Sequence, residues 1–78
     1  MTLNIDMRTF LNAFGENFGE LCLYDDDVED FDEALDSYEE VAAEYADFLA
    51  AFEGAHGAAI SNDREKAAFV FALREFVQ

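Results

Sequence analysis

The 78-residue sequence contains no proline, no tryptophan, one cysteine, one histidine and four glycines. A single cysteine excludes an internal disulfide framework. No apolar run approaches the roughly 20 residues that a membrane-spanning helix needs. The N-terminal sequence MTLNIDMRTF also lacks the basic region and the apolar core of a secretory signal peptide. These absences favour a cytoplasmic protein.

Positive charge is the scarcest property of the chain. Four Lys and Arg stand against 19 Asp and Glu, which gives a formal net charge of -15, and no basic residue lies between Arg8 and Arg64. Such a balance disfavours nucleic acid and anionic membranes as direct partners, because both are negatively charged. It favours a basic protein as the partner.

Aromatic residues, by contrast, are abundant. Nine Phe and three Tyr, with 53% hydrophobic residues overall, argue against a disordered acidic tail, because disordered chains are poor in aromatics. A chain of this length buries only about 60% of its unfolded surface. The sequence therefore predicts one folded domain, residues 1–78, with a simple core.

The first helix is predicted to begin after Asp6, which is a suitable N-cap, and to end near Gly19. Its apolar face has helical spacing and comprises Met7, Phe10, Leu11, Phe14 and Phe18. Leu3 and Ile5 could form a short extended arm before it. Residues 21–24, LCLY, fit a buried loop, a strand fragment or a helical turn.

A longer helical pattern follows and ends at a predicted C-cap, Gly54. Apolar residues recur in steps of three and four at Val28, Phe31, Leu35, Tyr38, Ala42, Tyr45, Leu49 and Phe52, with Val41 and Phe48 widening the stripe. Ser37 and Glu40, however, have the spacing of a capping box. Residues 27–53 can therefore be one helix, or two helices that meet near Asp36 and Ser37.

Residues 54–61 form a small-residue connector, and Ser61, Asn62 and Asp63 offer N-caps for a C-terminal helix. The core face of that helix comprises Phe69, Leu73, Phe76 and Val77. Val70 and Phe71 widen this face so far that we expect other elements to pack on more than one side of the helix. The predicted fold class is all-α, a compact three- or four-helix bundle with one strongly acidic helical face.

The sequence contains no recognisable catalytic apparatus. His56 has no nearby cysteine to complete a zinc-ligand spacing, and Cys22, between two leucines, is expected to be a small buried hydrophobe. Neither a G-x-x-x-x-G-K-S/T loop nor a G-x-G-x-x-G turn is present. We therefore expect no catalytic residues and no enzymatic activity.

Calcium binding is the obvious alternative for so acidic a sequence. A calcium loop starting at Asp25 would place Asp30 where glycine is required and Asp36 where a bidentate Glu belongs. The helical spacing of Phe31 and Leu35 also conflicts with a loop wrapped around a metal. We expect no metal site and no cofactor.

A carrier function is suggested by a short resemblance. Asp36, Ser37 and Tyr38 resemble the Asp-Ser-Leu motif of acyl carrier proteins, acidic helical bundles of similar length whose serine bears phosphopantetheine. The resemblance covers only these residues, with Tyr38 in place of leucine. The favoured role for Ser37 is a helix cap or a solvent-facing residue.

The acidic residues themselves have helical spacing outside the apolar stripe. Like charges three or four residues apart on a helix repel, so the arrangement opposes stability. Nine acidic residues from Glu29 to Asp47 would span roughly 27 Å of continuous helix, about one charge per 3 Å, comparable to the phosphate spacing of one DNA strand. The predicted partner-binding residues are Asp25, Asp26, Asp27, Glu29, Asp30, Asp32, Glu33, Asp36, Glu39, Glu40, Glu44 and Asp47. Tyr24 is a candidate apolar anchor at their edge.

The chain resembles the small acidic DNA-mimic proteins of phages and mobile elements, especially anti-CRISPR and antirestriction proteins. The resemblance lies in its size, in the absence of catalytic motifs and in the run DDDVEDFDEALDSYEE. The type I anti-CRISPR proteins are similar in character. This resemblance implies a non-enzymatic inhibitor in the cytoplasm of a bacterial host. It would block the DNA-binding groove of a type I CRISPR surveillance complex, and type I-C is the target expected within that group. The open alternatives are an acidic module or regulatory subunit that binds a basic protein without mimicry, and a carrier-like domain.

Overall fold

The structure, a computed structural model, describes residues 5–24 and 30–77. These residues form four α-helices and no strand: α1 (Met7–Tyr24), α2 (Phe31–Glu44), α3 (Ala46–His56) and α4 (Asp63–Arg74). The predicted all-α bundle is therefore confirmed, with four helices. Among the described residues, no helix combines the length and the apolar character that crossing a bilayer requires. Leu3 and Val28 lie outside the described residues, whereas Ile5 is half-buried against the core.

α4 is the central helix of the bundle and packs against both α1 and α2. Its buried residues occupy several sides of the helix, as predicted from the width of its apolar face: Ala67, Ala68, Phe69, Val70, Ala72 and Leu73. α1 and α3 contribute most of the aromatic rings around it. The ring of Phe10 lies at the centre, 4.8 Å from Phe48, 5.4 Å from Phe52 and 5.3 Å from Phe69 between centroids. Edge-on contacts of this kind add to the burial of apolar area.

Two predicted N-caps are present. The Asp6 carboxylate accepts hydrogen bonds from the backbone N–H and the hydroxyl of Thr9, both at 3.0 Å. These bonds, the backbone one first, lower the pKa of Asp6. At α4, the Asn62 side chain accepts from the backbone N–H of Glu65 at 2.9 Å, and the Glu65 carboxylate accepts from the backbone N–H of Ser61 at 3.1 Å.

The glycine-based helix ends were wrong. α1 continues through Gly19 to Tyr24, because Leu21, only 2% exposed, gains more from burial than a mid-helix glycine costs, about 1 kcal/mol. The LCLY segment is thus a helical turn, and Cys22 on that turn is exposed rather than buried. α3 likewise continues past Gly54 and ends at Gly57, whose φ of 93° is the left-handed conformation that suits glycine.

The long acidic segment is two helices, but they do not meet at Ser37. Ser37 lies inside α2, where its hydroxyl donates to the Glu33 carboxylate at 3.4 Å and caps no backbone N–H. The break occurs at Tyr45, with φ -115° and ψ 40°. Tyr45 is buried, and its N–H and C=O still bond Val41 and Leu49, so a single residue changes the chain direction.

Candidate functional site: the acidic face

The predicted site residues within the described part of the chain are all exposed. They lie just before α2, on α2 and in the first turn of α3, and we call them the acidic face: Asp30, Asp32, Glu33, Asp36, Glu39, Glu40, Glu44 and Asp47. Asp25, Asp26, Asp27 and Glu29 lie outside the described residues, as does the side chain of the proposed anchor Tyr24. The structure therefore places eight of the twelve predicted residues on one surface segment.

The geometry of α2 explains this exposure. At about 100° per residue, the six carboxylates of α2 fall within an arc of roughly 140°, and the apolar residues lie on the opposite side of the helix. Ala34 is fully buried there, and Leu35 and Tyr38 pack partly against the core. The small residue Ala34 was absent from the predicted stripe, because a pattern of large apolar residues does not identify an alanine at a close helix contact.

Most of the acidic face is not neutralised by the fold. Asp32, Asp36, Glu40 and Glu44 follow one another at intervals of four residues, where side chains are neighbours. Within residues 5–24 and 30–77, Glu33 is the member of the acidic face that has an ion pair; the other seven have neither an ion pair nor a side-chain hydrogen bond. Among the described residues, most of the like charges that the sequence places at helical spacing thus have no oppositely charged partner.

Helix polarity makes a negative charge unfavourable at one end of α2. Asp32 and Glu33 lie in its first turn, where the helix dipole favours negative charge. Glu44 lies in its last turn, which has no basic residue, and a negative charge there is unfavourable. The Glu44 carboxylate consequently does not stabilise its own helix through the helix dipole.

The ion pair of Glu33 joins α2 to α4. Nη2 of Arg74 lies 2.7 Å and 2.8 Å from the two carboxylate oxygens of Glu33. Sequence reasoning missed this pair, because the two residues are 41 positions apart and only the folded bundle brings them together. Glu33 therefore positions α2 and is less available to a partner than its neighbours are.

A charged groove of about 320 Å³ lies between α2 and α4, with Leu35, Asp36, Tyr38, Glu39, Asp63 and Lys66 in its lining. Nζ of Lys66 is 5.8 Å from the centroid of the Tyr38 ring, within the range of a cation–π contact. Burial, and then the charges of Glu53 and Glu65, raise the pKa of the Tyr38 hydroxyl. The hydroxyl therefore stays protonated and uncharged at neutral pH, and the negative charge of the groove comes from its three acidic residues, which outnumber Lys66.

The described residues offer little support for a metal site or for a functional histidine. His56 stacks on Phe52 with ring centroids 5.3 Å apart, and its Nε2 lies 3.8 Å from the Glu65 carboxylate. Among the described residues, no group of three His, Cys, Asp or Glu side chains is arranged to hold a metal ion. Asp30 adopts a left-handed conformation, but α2 begins at the next residue, where a calcium loop would still be wrapping around its ion.

No known protein family matches the chain, and no curated protein or solved structure is significantly similar to it.

Proposed function

We propose that this protein is a non-enzymatic inhibitor whose acidic face takes the place of DNA in the basic groove of a nucleic-acid-binding complex. The observation that carries the proposal is the row of exposed carboxylates on α2 and α3, which, apart from Glu33, lack paired cations among residues 5–24 and 30–77. A partner whose Lys and Arg side chains normally contact phosphates supplies those cations. We propose a type I CRISPR surveillance complex as the partner, with type I-C the first to be tested, acting in the cytoplasm of a bacterial cell.

The charge spacing supports the proposal. Six carboxylates lie between Asp32 and Glu44 on α2, a distance of about 18 Å at 1.5 Å per residue, or about one charge per 3 Å. Phosphates on one DNA strand are spaced by about 3.4 Å. A groove shaped for the DNA backbone therefore meets a comparable linear charge density on α2, and binding releases counterions as DNA binding does.

Competition with DNA tests mimicry directly. Purified type I-C surveillance complex is mixed with labelled duplex DNA carrying its target and PAM, and the protein is titrated in. Mimicry predicts that DNA binding is lost and that the affinity of the protein for the complex, measured without DNA, falls steeply as salt rises. If DNA and the protein occupy the complex together, the protein is instead an acidic module that binds without mimicry.

A matched pair of charge reversals locates the surface. Asp36→Lys with Glu40→Lys changes an exposed i, i+4 pair of the acidic face, and Glu16→Lys with Glu20→Lys changes an exposed i, i+4 pair of α1 by the same charge. We expect the α2 variant to lose at least about tenfold in affinity, or about 1.4 kcal/mol, and the α1 variant to lose much less. Equal losses would show that only net charge matters. Full activity of the α2 variant would place the binding surface elsewhere.

A further inference from the structure

A second, mostly apolar groove of about 180 Å³ lies where α2 ends. Its apolar lining comes from the end of α2, from α4 and from the residues after α4: Val41, Tyr45, Val70, Leu73 and Val77. The change of direction at Tyr45 ends α2 at this point. The groove is therefore a feature of the helix break, which the sequence pattern did not locate.

The rim of this groove is charged and is continuous with the acidic face. Glu44 and Arg74 complete the lining, and the Arg74 guanidinium is already paired with Glu33. Glu40 lies one turn before Glu44 on the exposed side of α2. A basic segment that follows the carboxylates of α2 therefore reaches the groove, and its charge complements Glu40 and Glu44 there.

Charge alone does not explain a durable complex. Exposed charge pairs mainly accelerate association and select the partner, whereas most binding energy comes from a few well-buried anchors, often apolar or aromatic. We propose that the groove receives one large apolar side chain, such as Phe, Leu or Met, from a basic segment of the partner that lies on the acidic face. This inference rests on the proposed function and specifies the partner's chemistry, namely positive charge around one apolar anchor.

The test uses a defined probe in place of the natural partner. A synthetic lysine-rich helical peptide with one central phenylalanine is compared with the same peptide carrying serine there, by calorimetry and by NMR of the valine and leucine methyl groups. We expect the phenylalanine peptide to bind about tenfold more tightly, because burying the aromatic ring lowers the free energy of binding by about enough for a tenfold change in affinity. The methyl signals of Val41, Val70 and Leu73 should shift only with this peptide.

Two variants that each add one negative charge distinguish the contribution of the apolar anchor to binding from that of charge. Val77→Asp places the charge in the groove, and Ala43→Asp places it on the exposed side of α2 among the carboxylates. The anchor predicts that Val77→Asp abolishes the preference for phenylalanine and that Ala43→Asp retains it. Electrostatics alone predicts that both variants bind both peptides at least as tightly as the unmodified protein. Circular dichroism checks the fold, and Val77→Ser, which adds no charge, replaces Val77→Asp if the latter unfolds.

The outcomes distinguish the two proposals. If both peptides bind the unmodified protein equally, or if Val77→Asp keeps the preference, the anchor is refuted while the charge-based function stands. If neither peptide binds, the acidic face does not hold basic segments, and both proposals fail. Loss of preference in Val77→Asp alone supports the anchor.

Discussion

α2 and α4 pack against each other but have opposite characters. α2 has one fully buried residue, Ala34, and six acidic residues, whereas α4 has six buried residues and three of the four basic residues of the chain. Lys66 and Arg74 of α4 contact Tyr38 and Glu33 of α2. The comparison shows a division of roles, in which α4 holds the bundle together and α2 displays charge.

The largest expected effect comes from weakening α4. Phe69 is fully buried, and its ring lies 5.3 Å from Phe10 and 5.4 Å from Phe52 between centroids. Phe69→Ala should cost about 3–5 kcal/mol in the free energy of unfolding, measured by urea denaturation. That is a large part of the total stability of a small domain, so the variant should be partly unfolded at 25 °C.

Leu23→Ala is the control for this change, because Leu23 is 79% exposed and its loss should alter stability by about 0.5 kcal/mol or less. Similar losses for Phe69→Ala and Leu23→Ala would contradict the central place of α4.

The difference between the two helices also explains what could be predicted from the sequence. Apolar spacing identified the helices and most of the large core residues, such as Phe10 and Phe69. Phe76, which was also predicted on the core face, is 37% exposed. Helix ends were less predictable. Gly19 and Gly54 have the residue type of a C-cap, yet the helices continue past them because packing of neighbouring residues, such as Leu21, outweighs the local preference.

For the candidate site, the apolar stripe on one side of α2 correctly predicted that the acidic residues on the other side are exposed. The Glu33–Arg74 pair did not follow, since local spacing gives no information about which distant residue the fold will bring near. The Tyr45 break, and with it the apolar groove, was hidden for a related reason. Tyr45 fits the apolar stripe at helical spacing, so the pattern runs through this residue without a break, although its φ of -115° and ψ of 40° interrupt the helix.

An intermediate effect is expected from changing one charge on α2. Asp36 has acidic neighbours four residues away on both sides, Asp32 and Glu40, so Asp36→Lys converts two repulsive spacings into attractive ones. We expect a gain of about 1 kcal/mol in unfolding free energy at low salt. The gain should largely vanish at about 1 M salt, where the screening length falls to about 3 Å.

In the unmodified protein, the same repulsion should make the melting temperature rise with added salt. Glu16→Lys is the matched control, because Glu16 has one acidic neighbour four residues away, Glu20. It should gain about half as much. A melting temperature that does not respond to salt would mean that the carboxylates are already compensated within the fold.

The smallest effect is expected from the ion pair that joins the two helices. Glu33→Gln, Arg74→Gln and the double variant form a double-mutant cycle. The coupling energy is the stability change of the double variant minus the sum of the changes of the two single variants. Because the Glu33 and Arg74 side chains are 54% and 43% exposed, we expect a coupling energy of only about 0.5 kcal/mol, although Nη2 of Arg74 contacts both carboxylate oxygens. Arg8→Gln, paired with Glu33→Gln, is the control cycle and should show no coupling, since Arg8 lies on α1 and has no ion pair with Glu33. Coupling well above 1 kcal/mol would mean that Arg74 does more than position α2, and that Glu33 should be removed from the surface that a partner can use.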